Sequence, residues 1–257
     1  MIKLLSVILF IFLFMINKKR GFKTFVTFYL NIFLIILYLI FIYFGFNAII
    51  LAIITTILCT VVSLFLLNGN NLKTKSSFIS ILIVLFFIFI LIFIIGKKAN
   101  IQGFGIESLE SIGLYSYDIN YDMTDVMIGM YLLCIIGTVI DTSISISSSM
   151  NEVLENNKGI SEKDIFKSGM NVGKDILSTT INTLYFPFIS SFIGFFLWHN
   201  NQSFSYLINY KVFAQFMVQL LISFIASILI IPITAFVSSR LLLNKELLNL
   251  KTNEKKC

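Results

Sequence analysis

The 18 residues from Phe78 to Ile95 read FISILIVLFFIFILIFII, with no charge and a single polar side chain, Ser80. A bilayer core about 30 Å thick needs about 20 apolar residues of helix, so this run reads as a membrane span. Lipid offers no partner for stray backbone N–H and C=O groups, which leaves helices and closed barrels. The run shows no strand-like alternation of polar and apolar residues, so a helix is expected.

Six similar runs flank it: Leu4–Ile16, Phe25–Phe44, Asn47–Leu67, Val126–Ser147, Ile176–Trp198 and Phe213–Ser239. The expectation is an all-α, polytopic transmembrane helix bundle of about seven spans, one domain over residues 1–240, with a basic tail at 241–257. Composition agrees. Of the 257 residues 58% are hydrophobic and 12% charged, against about 25% charged in an ordinary soluble domain. So few polar groups cannot coat a globule, which disfavours a soluble enzyme, a disordered chain or a nucleic-acid-binding domain. The net charge of +6 lies beside apolar runs and forms no basic patch of its own.

The first run is short, and Lys3 precedes it, as in a signal peptide. No small-residue cleavage site follows. Asn17-Lys18-Lys19-Arg20 follows instead, a stop-transfer flank, and the run is read as a retained anchor. The second and third runs are joined by Gly45-Phe46 alone and must form a tight helical hairpin.

Lysine and arginine set the orientation. Segments 17–24, 68–77, 148–175 and the tail from Arg240 hold 15 of the 19 basic residues. Lys3, Lys97, Lys98 and Lys211 fall on the other side. The expected N-terminus is outside and the C-terminus cytoplasmic. The outside segment 97–125 carries Glu107, Glu110, Asp118, Asp122 and Asp125 with Tyr115, Tyr117 and Tyr121. It reads as a solvated loop with interfacial tyrosines. No inverted internal repeat is visible.

By this layout one charged residue lies inside a span, Asp141. Such a carboxylate normally faces the bundle interior or a cavity. Gly137, Asp141, Ser145 and Ser148 share a helical stripe, flanked by Thr138 and Thr142. The sixth span carries Asp175, Thr179, Asn182 and Thr183, with Pro187 beyond. The proline frees the Thr183 carbonyl and predicts a kink or break. The seventh span shows Gln215, Gln219, Ser223 and Ser227 at fourfold spacing. Counting from Ser148 and Asp175 as span ends puts Asp141 and Asn182 at one depth, each about 10 Å in. If the two helices pack, Asp141 meets Thr179 and Asn182. Two uses compete for these residues: an oxygen-rich site for a cation, proton or small polar solute, or interhelical glue.

Between the fifth and sixth spans, Ser161 and Asp164 form a capping box. The helix it starts carries Ile165, Phe166 and Met170 on one face and is expected to lie along the membrane interface. Gly169 and Gly173, four apart, allow another backbone close.

The stretch Gly137-Thr-Val-Ile-Asp141-Thr-Ser-Ile-Ser145-Ile-Ser-Ser-Ser-Met-Asn-Glu152 resembles the YibE/F-like family of multispanning bacterial membrane proteins. So does Ser168-Gly169-Met-Asn-Val-Gly173-Lys174-Asp175, leading into Asn182-Thr183-Leu184. The span layout is similar over about residues 1 to 240. The family pattern has Arg where this chain has Lys174, and Gly where it has Ser178. The resemblance is to the short, YibF-type members. It implies a bacterial plasma-membrane protein and a companion subunit of the YibE type. It supplies no reaction.

Nothing else in the chain points to catalysis. Tyr117-Asp118 and Tyr121-Asp122 are not followed by GxGD, so an aspartyl protease is rejected. The single histidine, His199, stands next to Trp198 and reads as an interfacial anchor. No phosphate loop, HExxH or Rossmann glycine run occurs. Cys59, Cys134 and Cys257 form no disulfide or zinc pattern. No cofactor or metal is expected. The expected surroundings are the lipid bilayer and, for the polar cluster, a small ion or polar solute. The expected activity is that of a transporter or permease component working among spans five to seven. The alternative is a non-transporting assembly subunit.

Overall fold

The computed structural model describes residues 1–103, 122–157, 159–198 and 203–254. Among them there are helices and no strands. They are α1 (Ile2–Tyr43), α2 (Ala48–Val61, extended by a π-helical turn Val62–Leu66), α3 (Leu72–Lys98), α4 (Met123–Asn156), α5 (Glu162–Trp198), the short α6 (Phe204–Asn209) and α7 (Lys211–Glu254). Six stretches are long and apolar enough to cross a membrane: Lys18–Tyr43, Ala48–Leu66, Leu72–Lys98, Met123–Asn156, Glu162–Gly194 and Lys211–Leu243. The first of the seven expected runs is the exception. Lys3–Ile16 is a shorter apolar helix, about 21 Å long at 1.5 Å per residue.

The two halves of α1 are nevertheless separate arms. The chain reverses at Lys18, whose φ of 32° is left-handed. Phe10 then packs edge-on against Phe25 with ring centroids 4.9 Å apart, and Ser6 hydrogen-bonds Tyr29. In a straight helix residues 6 and 29 would stand about 34 Å apart. The arms touch at Gly21, where the Leu13 carbonyl fills the space a Cβ would need.

The Gly45-Phe46 hairpin closes as the sequence suggests. Gly45 adopts φ 85°, a conformation that a Cβ would strain. Its N–H donates to the Ile42 carbonyl and that of Phe46 to the Phe41 carbonyl. The Phe46 ring packs edge-on against Phe41. This is the Schellman arrangement with its hydrophobic clasp. Asn47 then caps α2, its side chain accepting from the N–H groups of Ile49 and Ile50 at 3.1 Å each.

Along α2 the small and hydroxyl residues are inside and the large ones outside. Ala48, Ala52, Thr56 and Thr60 are buried, whereas Ile50, Ile54 and Leu58 are exposed. In water this would be inside out. Against lipid it is expected, because close helix packing there favours small residues. A Cβ on Gly129 of α4 would meet Ala52 and the Tyr38 hydroxyl, and one on Gly96 of α3 would meet Ile128.

Helix α4 is the centre and packs on α2, α3, α5 and α7. It runs antiparallel to α3: Ser76 meets Ser147 and Gly96 meets Ile128. It runs parallel to α7, where Tyr131 meets Gln215 and Ser143 meets Thr234. The 68–71 connection, the end of α4, the start of α5, the Lys18 reversal and the far half of α7 therefore lie toward one end. It is the end rich in lysine and arginine, and is called the basic end below.

Helix α5 corrects one expectation. Ser161 does cap it: the Asp164 N–H donates to Ser161 Oγ at 3.2 Å, and that hydroxyl donates to the Asp164 carboxylate at 2.6 Å. But no separate interfacial helix follows. One helix runs from Glu162 through Pro187 to Trp198 without a break, so residues 162–175 belong to the bundle. Ile165 is fully buried, and Gly169 packs against Met150 and Ala235.

Candidate functional site

Helix α4 carries two polar faces, and the structure gives them different surroundings. The inward face holds Ser143 and Ser147. Their partners are Ser76 and Ser77 on α3 and Thr234 and Ser238 on α7, all six fully buried. Thr234 donates to Ser143 Oγ at 3.1 Å. Ser77 donates to the Ser143 carbonyl at 3.2 Å. Ser76 and Ser147 share a hydrogen bond of 2.7 Å, and Ser238 donates to Ser76 at 3.1 Å. Ser147 also donates to the Lys73 carbonyl at 2.9 Å. Three helices thus meet at the basic end through two adjacent groups of hydroxyls, Thr234–Ser143–Ser77 and Ser238–Ser76–Ser147. Each such bond contributes on average about 0.6 kcal/mol in a membrane protein.

This cluster was not singled out from sequence. A signal existed: Ser76/Ser80, Ser143/Ser147 and Thr234/Ser238 are all pairs four residues apart. That spacing aligns hydroxyls on one helix face. The apolar run begins only at Phe78, so by composition Ser76 and Ser77 fall in the connection before it.

The outward face of α4 holds Met130, Cys134, Gly137 and Asp141, all exposed. Asp141 sits near the middle of the helix, and among the described residues none pairs with or hydrogen-bonds its carboxylate. Ser145 is half-buried. Thr142 is buried, and its hydroxyl has no partner among the described residues. Gly137 is not at a helix contact: a Cβ there would meet nothing within 4 Å.

The stripe on α5 also faces away from the core. Asp175, Thr179, Asn182 and Thr183 are all exposed. Thr179 donates to the Ile176 carbonyl at 2.7 Å and Thr183 to the Thr179 carbonyl at 2.8 Å, so both hydroxyls are satisfied within their own helix. The depth match between Asp141 and Asn182 does not hold either. Ser143 is level with Thr234, and Gly173 is level with Ile231. Two residues separate Asp141 from Ser143, and three separate Ile231 from Thr234, about 3 and 4.5 Å of rise. Asp141 is therefore level with Gly173 and Lys174, within one turn. Asn182 lies about 15 Å farther from the basic end. The mismatch arises because α4 continues to Asn156 and α5 already begins at Glu162. Ser148 and Asp175 are not equivalent ends.

The stripe on α7 is the one brought against α4. Gln219 donates to Cys134 Sγ at 2.7 Å. Gln215 accepts from the Gly103 N–H at 3.0 Å through its side chain and from the Tyr131 hydroxyl at 2.7 Å through its carbonyl. Ser223 and Ser227 bond back to the carbonyls four residues earlier.

At the end away from the basic one, Lys97 pairs with Asp122 at 2.8 Å and Asp125 at 2.6 Å. The Lys97 ammonium, helped by the Thr124 N–H, holds the Asp122 carboxyl below the usual carboxylate range. Beside it Asp122, Asp125, Asn47 and the Gly45 turn line a polar cleft of about 160 Å³. Glu107, Glu110, Asp118, Tyr115, Tyr117, Tyr121 and His199 lie outside the described residues. No group of three or more metal-ligating side chains occurs among the described ones.

Comparison with curated proteins finds no match, and neither does comparison with solved structures. The first of the two sequence blocks that carry the resemblance runs through both polar faces of α4, and the second holds the glycine contacts of α5 with α4 and α7. Residues 5–244 match the family model described as YibE/F-like protein, and this multi-pass helical membrane protein belongs to that family.

Proposed function

We propose that the chain is the membrane-embedded, non-enzymatic component of a transporter or permease, with its polar pathway along the outward face of α4 rather than inside the chain. The supporting observation is Asp141, a charged group in mid-span with no partner among the described residues. A carboxylate at such depth costs about 2.5–3.5 kcal/mol on insertion scales, and packing alone does not require a charge. The solute is a proton, a hard cation or a small polar molecule, for which the carboxylate is the sensing group. Thr142 and Ser145 stand beside it on α4. Thr179, Asn182 and Thr183 extend polarity along α5, with Asp175 nearest the depth of Asp141. The lysine and arginine count supports a cytoplasmic basic end, and the family resemblance supports a bacterial cell.

A second reading has its own observation. The exposed polar stripe of α5 would suit a non-transporting assembly subunit that holds helices of a companion YibE-type protein. One substitution separates the two. Asp141→Asn keeps the hydrogen-bonding shape and removes the charge. Under the transport reading, solute flux or the associated cell phenotype is lost while protein abundance stays normal. Unchanged flux or phenotype at normal abundance would end that reading.

A further inference from the structure

We infer that the outward face of α4 is covered by a second copy of this chain, with Asp141 of each copy paired to Lys174 of the other. Four observations lead there. Asp141 is exposed and unpaired among the described residues, on the stripe Met130, Cys134, Gly137, Asp141. Gly137 leaves open space beside it, enough for an incoming helix to approach closely. Lys174 on α5 is likewise exposed, with no ion pair among the described residues. Finally, the contacts of α7 with Ser143 and with Gly173 put Asp141 and Lys174 at the same depth within one turn.

Symmetry makes that last point selective. A two-fold axis along the membrane normal carries every residue to its own depth in the other copy. Asp141 can therefore pair only with a cation at its own level, and the pair forms twice. The chain carries both members of the pair at one level, so the match is self-complementary. A lipid tail could satisfy neither charge.

The inference does not depend on transport. A dimer lacking flux would fail only the proposed function, and flux from a monomer would fail only this inference. To test it, two differently tagged copies are co-expressed with Cys59, Cys134 and Cys257 replaced by Ala. One carries Asp141→Cys and the other Lys174→Cys. Membranes are treated with a short thiol-specific cross-linker. A product containing both tags is expected. No such product, or a link only to a different protein, would overturn the inference. Charge exchange gives an independent reading. Asp141→Lys should lower the dimer fraction at least tenfold, and Asp141→Lys with Lys174→Asp should restore it. Lys174→Gln, at an exposed position, should lower it without affecting expression. Failure of the double variant to recover, or an unchanged dimer fraction in Lys174→Gln, would contradict the pairing.

Discussion

Gly137, Gly169 and Gly173 look alike in sequence, yet they have different neighbours. A Cβ on Gly173 would run into Ile231, and one on Gly169 would crowd Met150 and Ala235. Both glycines hold α5 against its own bundle, not against a partner. Gly173→Val should therefore cost about 1–3 kcal/mol by overpacking, seen as a lower melting temperature in detergent. Within one chain Gly137→Ala meets open space and should leave the stability of the monomer's fold unchanged or raise it by up to about 1 kcal/mol through helix propensity. Equal losses at both positions would contradict this placement. The small-residue spacing was legible from sequence. Which glycine touches what was not, because spacing gives a helix face but not the neighbour of that face.

At the scale of helices, apolar length identified every long span. It erred where a helix outlasts its apolar run. Helix α3 starts at Leu72, before the apolar run at Phe78, and α5 starts at Glu162, before the run at Ile176. The first additional turn is polar enough to read as a connection and the second stretch reads as a separate interfacial helix, yet both are packed: Ser76 and Ser77 are fully buried, as is Ile165. The hydroxyl contacts joining α3, α4 and α7 depend on the additional turn of α3, which carries Ser76 and Ser77. Their role is cohesion. In a double-mutant cycle, Ser76→Ala with Ser147→Ala should show a coupling of about 0.6 kcal/mol and no more than about 1.7. The same substitutions should leave flux per folded molecule unchanged. Loss of flux at full stability would move function to the inward face of α4.

For the whole molecule, composition announced a membrane protein, and the order of spans announced a bundle. Packing adds that the bundle is not closed around its charge. Helix α4 is enclosed by α2, α3, α5 and α7 except along one stripe, and the mid-span carboxylate lies on that stripe. A single sequence cannot say whether a polar face turns toward its own core or toward another chain, since both solutions share one periodicity. The contrast between a self-satisfied inward face and an unsatisfied outward face is the central claim. Its most direct test is the mass of the protein particle extracted into lipid discs without detergent and weighed by native mass spectrometry. The account predicts two copies for the unaltered chain and one for Asp141→Lys. A single copy of the unaltered chain, stable and monodisperse, would contradict it.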